Sequence, residues 1–286
     1  MSLRFLQRGS RPLILGHRGA PEALPENTLA ALCRAVQEGA DGVELDVMRC
    51  GSGEVVVVHD DTLHRVTGGA PGSHRPVRQM TLEQLRAFDL GGGQRVPTLA
   101  EALEALGPEV LVNVEMKSPQ VAGLGRLRLL RDDGLAEATA RVLRAAARPP
   151  GTTLVSSFDP FQLLRFERYA GGQVPIGYLF HHGLAGPLRW AWPAALLRPQ
   201  AVHPDAALVD AVALRRWRRQ GYFVHVWTVD DPREIAALTA LGVDAIITNS
   251  PGRVRRLVEE LVGTTFSPSA PFRAPCTPPA ASSRPG

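Results

Sequence analysis

The feature that most constrains this chain is an alternation: a short β-branched run, a turn, then an amphipathic stretch of helical period, repeated along its length. Strand-like runs fall at 13–16, 42–47, 110–116, 153–157, 174–179, 200–203, 222–229 and 243–248. Helical patterns follow at 28–38, 98–106, 136–147, 160–169, 211–220, 232–241 and 251–262. Strict β/α alternation implies a parallel sheet with helical crossovers. Eight such units in roughly 250 residues match the size of a (β/α)8 TIM barrel. An open doubly wound sheet is the alternative, and the count of eight favours closure.

Two segments break the repeat. Residues 55–58 form a further strand too close to 42–47 for a helical crossover. The turn chemistry of Cys50-Gly51-Ser52-Gly53 therefore predicts an antiparallel hairpin, opening a small insertion after the second strand at about 51–95, with a short helix at 82–87. Residues 263–286 contain six prolines and no apolar period, and read as a disordered Pro/Ser/Ala-rich tail; the barrel domain is 1–262.

Composition excludes several classes. Thirty-two basic against 28 acidic residues give +4, too little over this length to argue for nucleic acid, and 6% aromatic content offers no base-stacking platform. No run is long and apolar enough for a signal peptide or membrane span. Three cysteines without a CxxC argue against a disulfide framework or thiolate metal site, so the expected setting is the cytoplasm.

In a barrel, chemistry gathers at the C-terminal ends of the strands. Glu44 and Asp46 lie two apart on one strand, so both carboxylates face the side opposite Val43, Leu45 and Val47, which is the barrel interior. Glu115 and Lys117 repeat this geometry on the next barrel strand. Interior carboxylates repel and are costly to desolvate without a cation. Glu44, Asp46 and Glu115 thus suit one hard divalent ion, Mg²⁺ or Ca²⁺, with Mn²⁺ as a third option. A buried salt bridge between Lys117, the only lysine, and one of the acids is the structural alternative.

His17 ends the first strand. His59 ends the return arm of the hairpin, where residue 46 opposes 58, or 59 if one bulge intervenes. Two imidazoles, the cations Arg18 and Lys117, and a divalent ion together predict metal-assisted phosphodiester cleavage, with one histidine as base and the other as leaving-group acid. Trp227 shares a strand face with His225 and Val229 and either walls the pocket against the carbons of a substrate or fills the core. His203, Ser156 and Ser157 end strands and are weaker candidates; the aromatic 180–198 segment packs on the barrel or forms an apolar lip.

The stretches HRGAPEALPENTLAAL, GVELDV, VVVVHDDTLHRVTG, VPTLAEAL, VEMK, SSFDP, HVWTV and GVDAIITNSP, in that order, resemble the glycerophosphodiester phosphodiesterase family from His17 to Pro251. The resemblance implies a TIM barrel with an insertion after its second strand and a metal held at Glu44, Asp46 and Glu115. It also implies an acid/base pair at His17 and His59, with phosphate contacts at Arg18 and Lys117. The implied reaction releases glycerol 3-phosphate and an alcohol from a small-molecule glycerophosphodiester. Asn249 stands where the family usually carries aspartate; its distance in sequence from the ligands leads us to expect altered rim electrostatics or substrate choice, not lost activity. Two rivals remain at this point: a lysophospholipase D, supported by the WAW segment, and a non-catalytic barrel that binds phosphorylated metabolites.

Overall fold

The computed structural model describes residues 4–118, 132–183 and 192–263. Residues 264–286 of the tail and 184–191 of the aromatic 180–198 segment lie outside the described residues.

Eight parallel strands close into a barrel: β1 (Leu13–His17), β2 (Gly42–Arg49), β4 (Leu111–Met116), β5 (Thr153–Ser157), β6 (Ile176–Phe180), β7 (Ala201–Pro204), β8 (Phe223–Val226) and β9 (Ala245–Thr248). Pairing of β1 with both β2 and β9 completes the ring, which decides against the open sheet. The short strand β3 (Val55–Val57) runs antiparallel on β2, as the hairpin required. Crossovers are made by α1 (Leu29–Gln37), α3 (Leu99–Leu106), α4 (Leu135–Ala146), α5 (Pro160–Ala170), α6 (Trp192–Leu197), α7 (Ala211–Arg219) and α8 (Pro232–Leu241), with α9 (Pro251–Val262) after the last strand. The insertion carries α2 (Leu82–Arg86).

Local chemistry sets these boundaries. Thr28 and Thr98 cap α1 and α3 by accepting from Ala31 N and Glu101 N, and the Glu101 side chain completes a capping box. Asp159 and Asp231 cap α5 and α8, each followed by a proline whose missing N–H costs nothing in the first turn.

Side-chain alternation divides the strands as the sequence predicted. Val43, Leu45, Val47, Val112 and Val114 pack outward against the helices in the main core. Leu15, Leu111, Leu154, Ala201, Ala245 and Ile247 fill the barrel interior, with Phe5 of the N-terminal 3-10 turn among them. The insertion has its own apolar centre, including Val56, Val58, Leu63, Val77, Met80 and Leu85.

Above this apolar floor the interior turns polar. His203 and His225 are fully buried with rings 4.8 Å apart, and neither nitrogen of His203 finds a hydrogen-bond partner among the described residues. Gly177 makes the room: a Cβ there would lie 2.5 Å from His203 Nε2. Burial lowers the pKa of His203 well below normal. It brings His225 down to about 4, against an opposing pull from the Phe5 backbone. Unfolded imidazoles titrate near 6.5. Between those values the unfolded chain binds protons that the barrel refuses, so stability falls as pH drops from about 6.5 toward 4. His225 alone accounts for about 3 kcal/mol of this loss. Urea unfolding at pH 7 and pH 4.5 should show the drop, and His225→Leu should flatten it; an unchanged pH slope in that variant would refute the assignment.

Candidate active site

At the C-terminal mouth of the barrel, register brings the acids together. Asp46 of β2 pairs with Glu115 of β4, Glu44 pairs with Asn113, and His17 of β1 pairs with Glu44. Glu44, Asp46 and Glu115 are 2%, 1% and 7% exposed, and each offers an oxygen within 4.8 Å of the others. Burial and repulsion from Asp46 and Glu115 push the Glu44 carboxyl well above its ordinary range, and Glu44 Oε1 has no hydrogen-bond partner among the described residues. Burial also raises Glu115, although Lys117 pulls the other way. For Asp46, burial is outweighed by Lys117 and Arg18, which hold it well below the carboxylate range. Two carboxyls that burial pushes upward beside a charged third make a crowding of acids that a dication relieves, so these three residues could hold one.

The neighbouring cations serve the same cluster. Lys117 Nζ lies 2.5 Å from Glu115 Oε1 and 3.0 Å from Asp46 Oδ1, so the salt bridge posed as an alternative forms within the acidic group itself. Arg18 occupies left-handed backbone at φ 53, a conformation costly for a non-glycine residue. That turn aims its amide at Glu44 Oε2 (3.0 Å), while its guanidinium reaches Asp46 Oδ2 at 3.2 Å and Glu26 Oε1 at 2.9 Å.

Asn27, also at positive φ, clamps Asp46 twice: Nδ2 donates to Asp46 Oδ2 (2.9 Å) and Oδ1 accepts from Asp46 N (3.2 Å). Its place one residue before the Thr28 cap was a signal available for the turn, but not for the carboxylate it holds.

The two histidines have different partners. His17 Nδ1 lies 2.8 Å from Asn249 Oδ1, and Asn249 Nδ2 donates to Asp230 Oδ2 at 2.6 Å. With the amide nitrogen committed to Asp230, Asn249 presents its oxygen, so His17 carries its proton on Nδ1 and leaves Nε2 as an acceptor. Asn249, distant in sequence, is thus in direct contact with His17 because closure sets β9 beside β1, so it touches a candidate catalytic group instead of standing apart from the site. His59 follows the unbulged register, Val47 opposite Val57, with Val58 N donating to Asp46 O at 2.9 Å. The strand ends at Val57, which frees His59 from strict alternation. Its ring sits in the field of Asp46, Lys117 and Arg18, with Nδ1 2.6 Å from Asp60 Oδ1. Burial lowers the pKa of both rings.

Across the mouth, Trp227 is half-buried, stacks edge-on to Phe158 at 5.3 Å and donates from Nε1 to the His203 carbonyl (2.8 Å). Phe158 in turn meets His181 at 5.8 Å, which gives this side an aromatic wall missed from sequence. His203 and Ser156 are fully buried in the interior, and Ser157 Oγ donates to the Met116 carbonyl. No described helix is long and apolar enough to cross a membrane.

Comparison with known proteins gives the same direction. The profile of the glycerophosphoryl diester phosphodiesterase family matches residues 17–253. A glycerophosphodiester phosphodiesterase of Caldanaerobacter subterraneus subsp. tengcongensis is 31% identical over 259 residues, covering 87% of this chain and 99% of that relative. Among solved structures, an Oleispira antarctica phosphodiesterase in complex with the product sn-glycerol-3-phosphate superposes with TM-score 0.71 and 28% identity, covering 87% of this chain and 97% of that one. The Thermotoga maritima glycerophosphodiester phosphodiesterase gives TM-score 0.66 and 27% identity, over 86% and 98% of the two chains. A closed barrel, a profile match along most of its length and a relative matched almost end to end make this chain an enzyme of the glycerophosphoryl diester phosphodiesterase family.

Proposed function

We propose that the chain hydrolyses glycerophosphodiesters to glycerol 3-phosphate and an alcohol, using one divalent cation and the pair His17 and His59. The observation that carries this reading is the convergence of three buried carboxylates within 4.8 Å, beside two cations and two imidazoles with unlike partners. Glu44, Asp46 and Glu115 would hold the ion, Mg²⁺, Ca²⁺ or Mn²⁺, which supplies Lewis-acid charge against the phosphoryl oxygens. Arg18 and Lys117 add positive charge where the phosphate negative charge grows, Arg18 as a fork and Lys117 as a point charge.

His17, backed by a neutral amide and bare at Nε2, takes a proton from the attacking hydroxyl, whether water or a substrate hydroxyl. His59, backed by the Asp60 carboxylate, which works against the lowering of its pKa by burial, is suited to deliver an Nε2 proton to the departing alkoxide. Trp227 and Phe158 wall the opposite side, suited to the carbon skeleton of the substrate. Cytoplasmic residence agrees with Cys33 and Cys50, which are buried and not joined in a disulfide.

A coupled assay for glycerol 3-phosphate release tests the reading. Glycerophosphocholine should turn over, activity should vanish with chelator, and one of the three metals should restore it. Turnover confined to lysophospholipid micelles would favour the lysophospholipase D alternative. Tight binding of glycerol phosphates without turnover under any metal would favour a non-catalytic barrel.

A further inference from the structure

Arg65 lies in the insertion between β3 and α2, with half of its side chain exposed (51%). By position it reads as one more solvated arginine of the insertion, yet three of its nitrogens are committed to acids. Nε donates to Asp60 Oδ2 at 2.7 Å, NH1 to Glu26 Oε2 at 3.0 Å, and NH2 to Glu26 Oε1 at 2.6 Å. Both acids are engaged again on their inner sides. Asp60 Oδ1 lies 2.6 Å from His59 Nδ1, and Glu26 Oε1 accepts from Arg18 NH1 at 2.9 Å. Burial would raise the pKa of either carboxyl, but Arg65 and its neighbours outweigh burial and hold both below their ordinary values, so both stay anionic.

One guanidinium therefore joins two segments that share no strand pairing: the β1–α1 loop, through Glu26, and the start of the insertion, through Asp60. The path His59–Asp60–Arg65–Glu26–Arg18 has both ends in the field of one carboxylate, Asp46. An exposed ion pair contributes little to stability. A planar fork that fixes two acids at once instead sets their direction, and through them the direction of the groups they hold.

We propose that Arg65 is a positioning residue, anchored on Glu26, which holds Asp60 so that His59 keeps its working orientation at the mouth. This rests on the reading of His59 as the leaving-group acid. Acting through His59, Arg65 should matter only where that acid matters; an arginine that merely decorates the surface, or one that touches substrate directly, would not show that dependence.

The test compares wild type, Arg65→Gln, His59→Ala and the double variant on glycerophosphocholine and on glycerol p-nitrophenyl phosphate, whose leaving group needs little protonation. Arg65→Gln should lower kcat on the choline ester by roughly 10- to 100-fold, less than the 10²–10⁴-fold range of a full general-acid loss. It should change kcat on the aryl ester far less. In the His59→Ala background it should add nothing to the kcat loss on the choline ester. Arg65→Lys, which restores the charge without the fork, should recover only a minor part.

Unchanged kcat in Arg65→Gln beside a slow His59→Ala would overturn the role of Arg65 alone. Losses that multiply in the double variant would also overturn it, by showing independent action. Wild-type rates in His59→Ala would remove the acid assignment and this proposal together. Should Arg65→Gln fail to fold, Asp60→Asn carries the same comparison with the same outcomes.

Discussion

Glu44→Gln is expected to abolish metal-dependent turnover, lowering kcat/KM by roughly 10³-fold or more, while the metal-free protein becomes no less stable. The first part follows from the several kcal/mol of charge stabilisation that a catalytic ion supplies, at tenfold in rate per 1.36 kcal/mol. The second follows from the local electrostatics. Glu44 is 2% exposed, repelled by Asp46 and Glu115, and its Oε1 finds no hydrogen bond among the described residues. A neutral amide of the same shape removes the repulsion and can still accept from Arg18 N through its oxygen. Thermal melting supplies a readout independent of catalysis. Mg²⁺, Ca²⁺ or Mn²⁺ should raise the Tm of the wild type, as any ligand selective for the folded state does, and should not raise that of Glu44→Gln. Equal metal-induced shifts in both proteins would remove Glu44 from the ligand set.

How far this site could be read in advance depended on what kind of contact each residue makes. Glu44, Asp46 and Glu115 were legible because strand alternation fixes direction: with Val43, Leu45 and Val47 outward, the acids had no other side. The hairpin was legible because a strand so close to its predecessor has only one way to pair. Strand lengths were less so. The run 222–229 pairs only over Phe223–Val226, with one isolated bridge from Trp227 to Asp205, because the extended backbone outlasts its neighbour. The run 174–179 loses its start at Pro175, which has no N–H to donate, so the strand begins at Ile176.

The partners of the candidate catalytic groups were the least legible. Asn27 and Glu26 act from a loop, and no period governs a loop. Asn249 looked remote because the last strand is far from the first along the chain, and only closure of the barrel sets the two side by side. In the sequence Arg65 is one charge among the arginines of the insertion, and its value lies in two acids that only the folded chain brings to it.

His17→Ala is expected to reduce kcat by roughly 10²–10⁴-fold, the range for removal of a general base. The dependence on substrate should be opposite to that of His59→Ala. Activating the nucleophile does not depend on the quality of the leaving group, so His17→Ala should slow the choline ester and the aryl ester alike. His59→Ala should spare the aryl ester. The partners argue for this division: His17 donates from Nδ1 to the Asn249 amide and keeps a lone pair on Nε2, whereas His59 faces the Asp60 carboxylate, which favours the protonated ring. Added imidazole should restore part of the lost rate in His17→Ala, since the cavity left by the ring opens on the mouth. Asn249→Ala should lose part of kcat at unchanged KM, because the ring remains but its tautomer is no longer fixed. If leaving-group sensitivity instead followed His17 and not His59, the two roles would be exchanged, and Asn249 would be backing the acid.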